Sequence, residues 1–118
     1  MFKFETLEIL KESVKFVKEI YDLTKKFPNW ETYNITSQLT RAALSISLNI
    51  AEGSSRKSKL DFKRFIQIST GSVYEVITCL FIAKDQKYIT DEDFKIIYKR
   101  CEELSKMLYG FSVYLDKP

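Results

Sequence analysis

The chain has 118 residues, 45% of them hydrophobic and 30% charged, with no histidine, two cysteines and a formal net charge of +3. That length suits one domain spanning residues 1–118, with enough core to need neither a metal nor a disulfide, and the composition excludes global disorder. Without histidine the commonest general base and the commonest metal ligand are both missing, and the small net charge does not by itself define a partner.

Residues 1–27 predict a first helix. Leu7, Leu10, Val14, Val17, Tyr21 and Thr24 recur three and four apart, and a second seam, Ile9, Phe16, Ile20, Leu23 and Phe27, lies beside the first. The apolar arc is therefore wider than one neighbouring helix covers, and something further is expected to bury the excess. Phe27-Pro28-Asn29 ends the segment.

A second helix is predicted over about 36–52, with Leu39, Ala42, Ile46 and Ile50 on one face, and Gly53 following where a left-handed C-terminal cap is common. Ser58-x-x-Asp61 then opens a third helix running to about Lys84, with the stripe Phe62, Ile66, Ser69, Val73, Val76, Leu80 and Ala83. From Val73 onward this helix is apolar nearly all round, so heavy burial is expected. A strand reading of its β-branched residues is weakened by the length without a breaker. Thr90, followed by Asp91, Glu92 and Asp93, caps a fourth helix carrying Phe94, Ile97, Cys101, Leu104, Leu108, Phe111 and Leu115 on one stripe. Four helices of about twenty residues joined by short loops predict an all-α, antiparallel up-and-down four-helix bundle.

Lysines and glutamates interrupt residues 1–27, so no uncharged signal-peptide core can be drawn there, and the weakly polar stretch 42–51 is too short to span a bilayer. A cytoplasmic protein with no membrane contact is expected. Cys79 and Cys101 suit neither a disulfide framework nor a zinc site and are expected to be reduced, at one level of the hairpin made by the third and fourth helices. No phosphate-binding glycine motif and no carboxylate cluster with metal spacing is present. A non-enzyme without cofactors is expected.

Two constellations remain. If the second and third helices form a hairpin centred near Ser58, Arg41 lies opposite Glu75, and a close helix contact accounts for Gly71 in mid-helix. Arg41, Asn49, Glu52 and Glu75 then make a polar network that fixes helix register or a subunit interface, favoured over ordinary surface ion pairs worth ~0–1 kcal/mol because Glu75 sits in an otherwise apolar stretch where an unpaired charge is costly. The other constellation is basic: Arg56, Lys57, Lys59, Lys63 and Arg64 fall within nine residues, opposed in that span by Asp61 alone. Such a run is a candidate nucleic-acid contact, or a solvated helix end.

The run from Arg41-Ala42-Ala43 through Asn49, Ala51, Glu52 and Gly53, then Arg56, Phe62, Phe65, Gly71-Ser72 and Glu75, resembles the four-helix-bundle family known as 23S rRNA intervening sequence proteins, encoded within insertions in bacterial large-subunit ribosomal RNA genes. Gln38 and Phe27-Pro28 also fit the family pattern. Ser47 departs from it, where proline is usual, as does Ser55, where glycine is common. The resemblance implies a homopentameric ring and a distant relationship to accessory proteins of diversity-generating retroelements, which bind nucleic acid and a reverse transcriptase. The resulting expectation is a homo-oligomeric scaffold binding RNA or other nucleic acid through the basic residues. The alternative is a module that recruits a protein partner and leaves those residues to solubility.

Overall fold

Two hydroxyl side chains start the last two helices as the sequence predicts. Ser58 Oγ accepts the Asp61 amide at 3.1 Å, and Thr90 Oγ1 accepts the Asp93 amide at 3.0 Å while the Asp93 carboxylate takes the Thr90 amide at 3.2 Å. The computed structural model describes residues 1–118, the side chain of Lys3 excepted. A 3₁₀ turn at Lys3–Thr6 precedes α1 (Glu8–Thr24), and a second, Asn29–Glu31, precedes α2 (Ile35–Ser54), which is followed by α3 (Lys59–Asp85) and α4 (Asp91–Leu115). Each helix packs on the next in the chain, and α4 closes back on α1. The result is an antiparallel up-and-down four-helix bundle of 47 × 22 × 21 Å, one helix long and two helices wide.

The core is built from one stripe per helix. On α1 this is the seam Ile9, Phe16, Ile20 and Leu23, continued by Phe27. It meets Leu39, Ile46 and Ile50 of α2, Ile66, Val73 and Leu80 of α3, and Ile97, Leu104 and Leu108 of α4. The other seam of α1 is covered only in part: Leu7, Leu10 and Val17 are half-buried and pack against the core, whereas Val14 and Tyr21 are exposed. The single chain thus leaves Val14 and Tyr21 of the predicted excess open.

Short polar side chains set the register. Ser72 Oγ donates to Ser45 Oγ and Ser69 Oγ donates to the Ile46 carbonyl, both at 2.9 Å, which centres the α2–α3 hairpin near Ser58 as the sequence predicts. On the opposite side of α2, Ser47 Oγ donates to Ser13 Oγ of α1 at 2.9 Å, and Ser13 donates onward to the Leu10 carbonyl. Ser13 and Ser69 are fully buried and Ser72 nearly so, and these hydroxyl–hydroxyl and hydroxyl–carbonyl links satisfy them where desolvation would otherwise be costly. Ser47, where the resembling family usually has proline, here supplies half of the α1–α2 link.

Three local expectations are corrected. Gly53 is not a left-handed cap: no glycine has positive φ, and α2 runs through it to Ser54. It is buried because a β-carbon there would lie 2.7 Å from Phe65 Cβ and 2.8 Å from Phe62 Cδ1. Gly71 makes no close helix contact, since a β-carbon there would meet nothing within 4 Å. And α3 is not heavily buried: Ile68, Tyr74, Phe81 and Ile82 are about half exposed or more, because α3 touches only α2 and α4 and its outer side faces no third helix. By length and composition α3 could cross a bilayer, with 33% of its most apolar window buried in the bundle.

Of the two thiols, one is placed differently from expectation. Both are free; Cys101 is buried in the core, whereas Cys79 is half-buried. Cys79 stands two helical turns beyond Ser72 and so shares its α2-facing side rather than turning toward α4. Burial pushes the Cys101 thiol up to about 12, and burial with the nearby Glu75 carboxylate raises Cys79.

Native alkylation is therefore expected in two steps, Cys79 first and Cys101 only on the timescale of local unfolding, as read by mass spectrometry of timed samples. Equal rates would contradict the placement. The two glycines should respond in opposite directions to alanine. Gly71→Ala should raise monomer stability by up to ~1 kcal/mol through helix propensity alone, whereas Gly53→Ala should lower it by about 1–2 kcal/mol, because overpacking against the Phe65 Cβ outweighs the same gain. Urea denaturation at equal m-value checks both signs.

Candidate nucleic-acid interface

The end of the bundle that holds the α2–α3 turn also receives the C-terminus of α4, and the basic residues gather there. Gly53 lets the N-terminal turns of α3 close on α2 through Phe62 and Phe65. Arg56, just past α2, stacks its guanidinium 4.7 Å from the Phe65 ring centroid and donates to Glu52 Oε1 at 2.7 Å. A run of motif residues, Glu52, Gly53, Arg56, Phe62 and Phe65, thereby builds one turn.

The cations differ in how they are held. Lys57 is exposed on the turn and has no hydrogen bond or ion pair among the described residues. Lys59 Nζ donates to the Lys117 carbonyl at 3.2 Å. Arg64 pairs with Asp61 at 3.2 Å, one helical turn away, with both side chains well exposed. Lys63 donates to both carboxylate oxygens of Asp116 at 2.7 and 2.8 Å and keeps only 25% of its side chain exposed. Asp61 is consequently not the only acid opposing the cluster, since folding brings Glu52 and Asp116 to it. Lys63 acts as a tie between α3 and the end of α4, and reversing its charge would set a carboxylate against Asp116. The five predicted residues do lie at one end of the molecule, with Lys57 and Lys59 the two not engaged by a carboxylate.

The other predicted constellation is brought together only in part. Arg41 and Glu75 stand at the same level of the α2–α3 pair by the register of Ser45 and Ser72, yet both are exposed and make no hydrogen bond or ion pair among the described residues. Glu75 is not a charge trapped in apolar surroundings, because the face of α3 that carries it is uncovered. Glu52 is engaged by Arg56 within its own turn. Asn49 alone joins a link between helices: its Nδ2 donates to Ser45 Oγ at 2.9 Å, and that oxygen also accepts Ser72. Within one chain the register is fixed by Asn49, Ser45, Ser72 and Ser69 rather than by the charged residues.

The best-developed ionic cluster was not anticipated. Arg100 of α4 donates to Glu19 at 2.9 Å, Glu12 at 3.3 Å and Glu103 at 3.1 Å, clamping α1 to α4. The bond to Glu19 comes first among the causes raising the arginine pKa, and Arg100 comes first among those holding the Glu12 carboxyl below its usual range. Its sequence signal was two glutamates seven apart on α1, a spacing that returns to one helix face. At the far end, Lys26 donates to both oxygens of Asp93 at 2.9 and 2.8 Å, and that contact heads the causes lowering the Asp93 pKa.

Comparison with known proteins bears on this arrangement. A family model described as 23S rRNA-intervening sequence protein matches residues 5–110. No curated protein matches. Among solved structures, a protein of unknown function from the S23 ribosomal protein family of Bacteroides thetaiotaomicron superposes with a TM-score of 0.81 at 26% identity, covering 88% of this chain and 97% of that one. The bundle fold is thus shared over most of both chains.

Proposed function

Because the chain belongs to the 23S rRNA-intervening sequence protein family, we propose that it is a non-catalytic, homo-oligomeric scaffold, assembling as the pentameric ring that the family resemblance implies and touching nucleic acid with its basic end. The observation that carries the assembly is the outer surface of α2 and α3. Leu48, Ile68 and Ile82 are about half exposed or more there, and Arg41 and Glu75 present opposite charges without a bond to any described residue. Apolar surface of this kind, rimmed by unpaired charge, is what a subunit contact uses. A closed ring requires two different surfaces, and Val14 with Tyr21 on α1 supply a second exposed apolar region.

Light scattering on the full chain at micromolar concentration should return a multiple of 13.9 kDa. Leu48→Glu with Ile68→Glu should reduce it to the monomer mass while leaving helicity intact, since neither side chain belongs to the core. A wild-type monomer would end the scaffold reading.

The contact with nucleic acid is favoured by Lys57 and Lys59, the two cations that no carboxylate engages. Arg56 and Arg64 add to the field, because their exposed acids hold them by only ~0–1 kcal/mol each and a phosphate can exchange for them. Lys57→Glu with Lys59→Glu should weaken binding of RNA about equally across sequences. The slope of log affinity against log salt should flatten by ~0.7–0.9 for each phosphate that is no longer neutralised. Unchanged affinity would move this end of the molecule to the protein-partner reading.

A further inference from the structure

Beside the basic turn, where α2 ends, α3 begins and α4 ends, lies a cleft of about 310 Å³ lined by both cations and aromatic rings. Arg56, Lys57 and Lys59 are the cations. Among the rings, Phe62 and Phe111 meet edge to face with centroids 5.1 Å apart, and Tyr114 stacks on Phe111 at 5.8 Å. Tyr114 is 56% exposed and so accessible to a ligand, and Leu7 and Leu115 add apolar lining. Of the three cations, Lys57 makes no hydrogen bond or ion pair among the described residues, whereas Arg56 holds Glu52 and Lys59 holds the Lys117 carbonyl.

Planar apolar surface together with three cations, within one small space, matches a ligand that is itself flat and apolar at one end and anionic at the other. The volume sits at the low end for small-ligand sites, about 300–1,000 Å³. A duplex keeps its bases stacked and paired inside and offers this cleft only phosphates, whereas an unpaired nucleotide offers a base to the rings and a phosphate to the cations. We propose that the cleft binds one unpaired nucleotide unit, its base against Tyr114 and Phe111 and its phosphate among Arg56, Lys57 and Lys59. This rests on the nucleic-acid reading above and narrows it to single strands, strand ends or free mononucleotides, which share that chemistry.

The test uses the full-length protein with three probes: a fluorescein-labelled oligouridine ten-mer, a labelled duplex RNA of the same length, and uridine monophosphate followed by calorimetry. The ten-mer should bind more tightly than the duplex. Tyr114→Ala should weaken the ten-mer about fivefold to a hundredfold with the salt slope unchanged, and Tyr114→Phe should restore it, since stacking needs the ring and not the hydroxyl. Lys57→Glu should instead flatten the salt slope. Circular dichroism monitors the fold of each variant. If ten-mer and duplex bind alike, or Tyr114→Ala binds the ten-mer as wild type does, the cleft proposal is overturned while the basic-end reading stands. If neither RNA binds but uridine monophosphate does so in a Tyr114-dependent manner, the cleft stands as a free-nucleotide site and the polymer reading fails. Absence of binding by all three probes overturns both.

Discussion

Three consecutive residues of α2, Ser45, Ile46 and Ser47, reach both neighbouring helices at once: Ser47 meets Ser13 of α1, while Ser45 and the Ile46 carbonyl accept Ser72 and Ser69 of α3. Each such bond contributes only ~0.5–1.5 kcal/mol net, but leaving a buried hydroxyl unpaired costs ~1–3 kcal/mol, so alternatives in which α2 is rotated or slipped by one turn are penalised several times over. Hydroxyl side chains are also short, which lets the helix axes approach. The rotation of α2 and the offset of α1 and α3 follow from this, and with them the direction in which every other side chain of the three helices points.

Among the side chains so directed are the motif residues that do not build the core. With Ser45 held against Ser72, Arg41 and Leu48 on α2 and Ile68, Gly71 and Glu75 on α3 are turned out of the bundle, and no third helix covers them. At the end of the hairpin the same register seats Phe62 and Phe65 over the missing side chain of Gly53 and brings Arg56 onto Phe65. Long-range ties then complete the closure, Arg100 to α1 and Lys63 to the end of α4. The outer face and the basic end are separate regions of one bundle, so the proposed assembly and the proposed ligand contact can be altered independently.

Much of the fold was legible because its signals are local. The caps at Ser58 and Thr90 need only the next three residues, and the stripe of α4 needs only its own helix; the hairpin centre follows from a loop short enough to leave one solution. The failures share a cause. Hydrophobic periodicity says that a face is apolar, not that anything covers it, so α3 read as buried when half of it is open, and Glu75 read as trapped when it is exposed. The close helix contact expected at Gly71 belongs instead to Gly53 for the same reason, since the need for a missing β-carbon lies in Phe62 and Phe65 at another point of the chain. Asp116 reached the basic cluster across 53 positions and escaped a count made along nine.

Whether the outward face of α2 and α3 is covered in solution decides between a scaffold and a free-standing bundle. Hydroxyl-radical footprinting of the full chain at micromolar concentration measures this side chain by side chain. After normalisation for intrinsic reactivity, Leu48, Ile68 and Ile82 should be protected well below their single-chain exposures of 64%, 51% and 48%, while Trp30 and Tyr33 on the α1–α2 connection, at 76% and 93%, react as free side chains. Oxidation of all five in proportion to those exposures would contradict the scaffold.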